Sequence, residues 1–349
     1  MLTQPRDAFP IGDELVRPGE RRTVHLPVSM LSNHTPMNLA VHVIHGDRPG
    51  PVLFVSAAVH GDELTGVEII RRLLVSGNLS QVAGTLLAVP IVNALGFLGQ
   101  TRYMPDGRDL NRSFPGSDRG SLASILADLF LREVVLRSHF GIDLHSAGGH
   151  RTNLPQVRIA PEQPELLDLA EAFGAPVILV SKLREGSLRQ HARLNGVKVL
   201  LYEGGEALRI DEVSVRAGVL GVLRVMKSIG MLQAPAIRFS RVTPAISYSS
   251  TWLRAPEGGI LVTRPLRGER VRRDDVIAEI SDPFGERRTP VVASEDGIVI
   301  GHTNLPVVNR GDALFHIARV KDVAQSQARV GRIGSELEAG QLFDEDEIV

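Results

Sequence analysis

Between Pro51 and Leu232, short apolar runs alternate with segments whose apolar residues recur at helical spacing, and few architectures accept that alternation. The runs PVLFVSAAV at 51–59, GTLLAVPIV at 84–92, GIDLHS at 141–146, QVRIA at 156–160, APVILVS at 175–181 and VKVLLYE at 197–203 read as strands. Helical spacing is carried by 66–76, 121–138, 164–173, 187–195 and 213–230. Repetition of this kind predicts an α/β fold, a mostly parallel sheet with helices on both faces. The first run has Ser56 as its one polar residue, the pattern of a strand covered on both sides.

Outside that core the pattern changes. Residues 1–48 hold two strand-like pieces, RTVHLPV and LAVHVIHG, and are expected to form an amino-terminal β extension to an α/β domain at 49–233. His25, His34, His42 and His45 in this extension are read as solvated or hydrogen-bonded side chains. From 234 to 322 there is no helical period, and the turns EGG, RRDD, DPFGE, EDG and NRGD punctuate short strands of a small all-β, barrel-like domain. Residues 323–349 read as a loosely held acidic tail.

Composition removes several functions. Against 39 basic residues stand 40 acidic ones, for a net charge of −1, so nothing draws the chain generally to nucleic acid or to anionic lipid. No apolar run approaches the ~20 residues of a membrane span. The amino terminus shows no basic region followed by an apolar one, so a cytoplasmic location is expected. With no cysteine, thiolate chemistry is excluded, and any metal must be held by histidines and carboxylates.

The corner FVSAAVHGDE at 54–63 is where such chemistry would sit. His60 follows the carboxyl end of the first strand and Glu63 precedes the first helix, at the sheet edge where α/β proteins bind ligands. Gly61 is read as relieving a sharp turn. His-x-x-Glu offers an imidazole and a carboxylate to one divalent ion, but roughly one His-x-x-acid match is expected by chance. A capped helix start with a surface acid is therefore the plainer reading of that motif alone. In GIDLHS, strand alternation points Asp143 and His145 the same way, so that His145 could bind a metal while Asp143 orients a neighbouring imidazole. Both could instead pair with backbone. The long loop 93–120 concentrates Arg102, Arg108 and Arg112, whose guanidinium forks suit carboxylates or a charged carbonyl oxygen, together with Asn111; ordinary surface arginines account for the spacing equally well. Glu203, ending a buried strand, is a candidate general base or else a cap of the next turn, with Glu206 a weaker competitor for the base role.

Together, HGDE at 60–63, TRY and DLNR at 101–112, DLH at 143–145 and YEGG at 202–205 resemble the succinylglutamate desuccinylase/aspartoacylase family, relatives of the zinc carboxypeptidases. The resemblance covers about 51–230. It implies a zinc-hydrolase fold with one Zn2+ per chain held by His60, Glu63 and His145. It further implies Arg102 as the carbonyl-polarising arginine, Asn111 and Arg112 as the pair holding a substrate carboxylate, and Glu203 as the catalytic glutamate. The expected activity is removal of an acyl group from an N-acyl amino acid, a small-molecule substrate. A carboxypeptidase acting on short peptides and a non-catalytic binding protein on the same fold are the rival readings. The His2Glu set also suits manganese and cobalt.

The long form of the chain is similar to family members that act as deacylases, including the diaminobutyrate deacetylases of ectoine breakdown. The β domain resembles a biotinyl or lipoyl barrel in its turn spacing, yet no lysine lies between Lys227 and Lys321 to be modified. A carrier role is excluded, leaving a lid, a specificity wall or a homo-oligomer contact. Tyr248 and Trp252, at its start, could be core or substrate contacts.

Overall fold

A computed structural model describes residues 6–339 apart from 162, 234–236, 241 and 264–266. A small hairpin, β1 (Phe9–Ile11) and β2 (Glu14–Val16), precedes β3 (Arg21–Met30), β4 (Pro36–His45) and β5 (Arg48–Ala57). Helix α1 (Thr65–Val75) leads to β6 (Ala83–Val89), α2 (Ala94–Leu98), α3 (Leu122–Phe130) and β7 (Phe140–Ala147). Then come β8 (Arg151–Ile159), α4 (Leu166–Phe173), β9 (Val177–Val180), α5 (Leu188–Leu194), β10 (Lys198–Glu206) and α6 (Glu212–Ser228).

The central sheet runs β8-β10-β7-β5-β6-β4-β3. Its middle, β10-β7-β5-β6, is parallel, and β9 adds a parallel strand beside β8. The flanks are antiparallel: β10 with β8, β6 with β4, and β4 with β3. The sheet is thus mixed, its parallel part being the stretch where crossover helices intervene.

Strand β5 shows why the layers form. Leu53, Val55 and Ala57 pack with Ile69, Ile70 and Leu73 of α1 on one side, while Val52 and Phe54 pack with Leu126 and Phe130 of α3 on the other. All but Val52 are fully buried, so the strand has no solvent face and its apolar run is continuous. Phe54 fixes its neighbour: a Cβ on Gly141 of β7 would come within 2.1 Å of the phenyl ring. The helix expected over 121–138 is α3 followed by a π-helical turn at Leu131–Val135.

The carboxyl-terminal strands are β11 (Ala245–Ser247), β12 (Ser249–Arg254), β13 (Gly259–Thr263), β14 (Arg270–Val271), β15 (Val276–Ser281), β16 (Arg288–Val292), β17 (Gly297–Thr303), β18 (Val307–Val308) and β19 (Ala313–Arg319). Four of them form a separate antiparallel sheet, β16-β15-β13-β18. Others extend the central sheet, because β17 pairs antiparallel with β8 and continues through β19 to β12.

The stretch read as the start of a loose tail is instead helix α7 (Val323–Ala339). Val330, Ile333 and Leu337 are buried at helical spacing, and this segment is charge-balanced, with Arg329 and Arg332 against Glu336 and Glu338, so its apolar stripe can dock. Residues 340–349 of the expected tail lie outside the described residues.

Candidate metal centre and active site

The carboxyl ends of β5, β7 and β10 open into a cleft of about 740 Å3. His60 and Glu63 reach it from the link between β5 and α1. Gly61 is required there because a Cβ would approach the Gly96 backbone to 2.0 Å, a close packing rather than the turn geometry expected of it. His145 reaches the cleft from β7.

The three groups converge. His60 Nδ1 lies 2.7 Å from Glu63 Oε1, and His145 Nδ1 lies 2.8 Å from Glu63 Oε2. Their ligand atoms all fall within 4.8 Å of one another, and all three residues are buried. Each far nitrogen is also held: His60 Nε2 faces Asp109 Oδ1 at 3.1 Å and His145 Nε2 faces Asp143 Oδ2 at 2.8 Å. Because a carboxylate only accepts, each Nε2 carries a hydrogen, which leaves Nδ1 as the atom directed at Glu63. Two lone pairs do not face each other at such distances without positive charge between them. A proton on each ring or one divalent cation meets that need, so the donor set fits a metal.

The electrostatics agree. Burial alone would lower the His60 and His145 pKa values, but Glu63, Asp109 and Asp143 outweigh it and raise both. Glu63 is held below the carboxylate range despite complete burial, through the charges and hydrogen bonds of the two imidazoles. Asp109, likewise against desolvation, is depressed by His60 and Arg102.

Around this centre stand the other candidates. Arg102 donates to Asp109 Oδ2 at 2.9 Å and to Glu63 Oε1 at 3.3 Å. Asn111, on a short 3-10 turn at Leu110–Arg112, accepts from the Leu188 backbone N–H at 2.9 Å, tying its loop to α5. The Arg112 guanidinium donates to the Asn111 carbonyl and reaches the cleft. Glu203, from β10, has Oε1 3.2 Å from Arg158 and Oε2 accepting from the Asn153 amide. Asp143 is fully buried behind the cleft, its Oδ1 accepting from Ser56 Oγ at 2.9 Å, so the imidazole it orients is that of His145. Glu206 faces a different cavity, with Arg209 and Arg267, and does not compete with Glu203.

The β strands after residue 245 close the cleft with Ser250, Trp252 and His316. Trp252 stacks on His316, its cross-strand neighbour, at 4.6 Å and 8°, with the Arg151 guanidinium 5.2 Å from the indole centroid. Burial and the charge of Arg158 push the His316 imidazole down to about 3, so it is neutral. Tyr248 is 68% exposed, so it is not a core residue. Arg189 lines the cleft too; burial and neighbouring Arg158 push its guanidinium down to about 10.

Sequence reasoning missed Asp109, Asn153, Arg158 and Arg189. Asp109 had a signal, as it opens the DLNR motif that supplied Asn111 and Arg112. The other three had none: Asn153 and Arg158 lie on β8 beside a bulge that decides which way a strand side chain points, and Arg189 lies on helix α5 outside any motif.

A model of the succinylglutamate desuccinylase/aspartoacylase catalytic domain matches residues 49–229. The chain belongs to this family. A curated relative, the N-alpha-acetyl-L-2,4-diaminobutyric acid deacetylase of Halomonas elongata, is 29% identical over 288 residues, 78% of this chain and 83% of its own length. Among solved structures, a succinylglutamate desuccinylase/aspartoacylase of Rhodobacter sphaeroides superposes with a TM-score of 0.77 at 27% identity, covering 87% of this chain and 97% of the other. The product-bound ectoine utilization protein EutE of Ruegeria pomeroyi gives 0.78 at 21% identity over 90% and 98% of the two chains, a likeness of fold. The family to which the chain belongs is one of acyl-amino acid deacylases.

Proposed function

We propose that the protein is a zinc-dependent deacylase that hydrolyses the amide of an N-acyl amino acid or a related small carboxylate. The observation that carries this reading is the convergence of His60 and His145 Nδ1 on Glu63, each ring anchored behind by an aspartate, at the floor of a cleft that also holds Glu203.

His60, Glu63 and His145 would hold the ion, and a bound zinc supplies Lewis acidity and a water acidic enough to ionise near neutrality. Glu203 accepts the proton of the attacking water as the new C–O bond forms. It then delivers that proton to the amine nitrogen as the C–N bond breaks, giving a carboxylate and a free amine. Arg102, pinned by Asp109 and Glu63, places fixed positive charge where the carbonyl oxygen becomes negative. Arg112 holds the carboxylate of the amino acid, and Asn111, whose Oδ1 is committed to Leu188, has its amide N–H group left to donate. Fixing that end of the substrate turns binding energy into orientation at the amide.

Ser250, Trp252 and His316 line the same cleft as His60 and His145 and limit its extent, which favours a small acylated amino acid over a longer peptide. Replacement Glu203→Gln keeps the shape of the site and removes the base. We expect normal zinc content with turnover reduced on the order of 1000-fold or more. Turnover within about tenfold of the parent enzyme would remove Glu203 from this role. A panel of N-acyl amino acids set against dipeptides separates the deacylase from a carboxypeptidase.

A further inference from the structure

The carboxylate of Glu203 is held at both oxygens, and one of its two holders is positioned from outside the catalytic strands. Asn153 donates its amide N–H to Oε2, while Arg158 lies at Oε1. Both come from β8, which pairs with β10 on one side and with β17 on the other.

A regular ladder would not bring Asn153 to this place. Glu203 pairs with Gln156 and Gly205 with Asn153, so two steps along β10 correspond to three along β8. The extra residue is a β-bulge, a device that re-aims a side chain. Gly205 accommodates it in a left-handed conformation, φ 78°.

The other side of Asn153 is set by β17. Asn153 pairs with Gly301, and a Cβ there would come within 2.5 Å of Asn153 Oδ1 and 3.0 Å of the Thr152 carbonyl oxygen. Arg267 donates to the Asn153 carbonyl at 3.0 Å. Asn153 is 5% exposed, so little freedom is left to its amide once β17 is in place.

We propose that Asn153 is a positioning residue for the catalytic glutamate, and that the β17 strand, through the absent side chain of Gly301, holds the Asn153 amide against Glu203. The inference rests on the general-base reading of Glu203. Its consequence is that the carboxyl-terminal β strands contribute to the chemical step as well as walling the cleft.

Three variants test it: Asn153→Ala, Asn153→Asp and Gly301→Ala, each measured for kcat, KM, zinc content and melting temperature. Asn153→Ala removes the donor. Asn153→Asp keeps the shape but presents an acceptor to Glu203. Gly301→Ala displaces the amide without touching the cleft. For both Asn153 variants we expect kcat to fall on the order of 10- to 100-fold, with KM within about threefold and zinc content unchanged. For Gly301→Ala the expected fall is several-fold, in kcat again.

If Asn153 served only to fill space, the isosteric Asp variant would keep parental kcat while Ala lost it, and that result would overturn the proposal. So would parental kcat in Asn153→Ala. Glu203→Gln is run alongside. An active Glu203→Gln enzyme overturns the general-base reading and this inference together, whereas an inert one beside a fully active Asn153→Ala enzyme overturns the inference alone.

Discussion

Replacing Asp143 by Asn probes the metal centre without opening a cavity. Asp143 is fully buried, with Oδ2 2.8 Å from His145 Nε2 and Oδ1 2.9 Å from the Ser56 hydroxyl. The amide is nearly the same size. Its oxygen can still accept from Nε2–H, and its NH2 group can donate to a Ser56 hydroxyl that turns to accept. What is lost is the negative charge that strengthens His145 as a donor. Partners of this kind are worth about 10- to 100-fold in metal affinity, or about 1.4–2.7 kcal/mol. We therefore expect Asp143→Asn to bind zinc about 10- to 100-fold more weakly in competition with a chromogenic chelator, with the fold intact by circular dichroism. Asp143→Ala should cost stability as well, since it strands a buried N–H and a buried O–H at about 1–3 kcal/mol each. A zinc affinity for Asp143→Asn equal to that of the parent would refute the assignment of His145 as a ligand oriented by Asp143.

Two further outcomes follow from the same contacts. Arg112→Ala should raise KM on the order of 100-fold with a smaller change in kcat, because the lost interaction holds the substrate carboxylate in ground and transition states alike; a steady-state series settles it, and an unchanged KM would release Arg112 from the substrate. In the metal-free protein, stability should depend on pH in a defined direction. The His145 pKa is raised well above 6.5, Asp143 and Glu63 outweighing burial, so its stabilisation is fully present below about 6.5 and is lost as pH rises through the folded-state value. Glu63 is depressed below 4.5, its imidazole partners outweighing burial, so its stabilisation is present above about 4.5 and is lost on acidification. Thermal melts of the chelator-treated protein should therefore be highest between those values and decline on the alkaline side. Added zinc, which takes the place of the protons, should flatten that decline, and a metal-free protein steadier at pH 8 than at pH 6 would contradict this.

Much of the fold was legible because burial on both faces leaves a continuous apolar run, as in β5, and burial on one face leaves a 3.6-residue period, as in α1. The mixed character of the sheet was not, since alternation of strands and helices does not record which strand a connection returns beside. Helix α7 was obscured by the acidic run that follows it in sequence, although Val330, Ile333 and Leu337 carried the period. At the site, the short motifs brought forward His60, Glu63 and His145, the buried group that could hold a metal ion, because strand and helix ends fix where they point. Asn153 stayed hidden, since its orientation depends on a bulge between β8 and β10 and on Gly301, nearly 150 positions away.

The central claim is that three side chains from two separate segments bind one ion. The direct measurement is metal content by inductively coupled plasma mass spectrometry after gentle purification, for the parent and for His60→Ala, Glu63→Ala and His145→Ala, with circular dichroism on each. The account predicts one zinc per chain in the parent and its loss from every variant with the fold retained. Zinc that stays stoichiometric in any one of the three variants would contradict it.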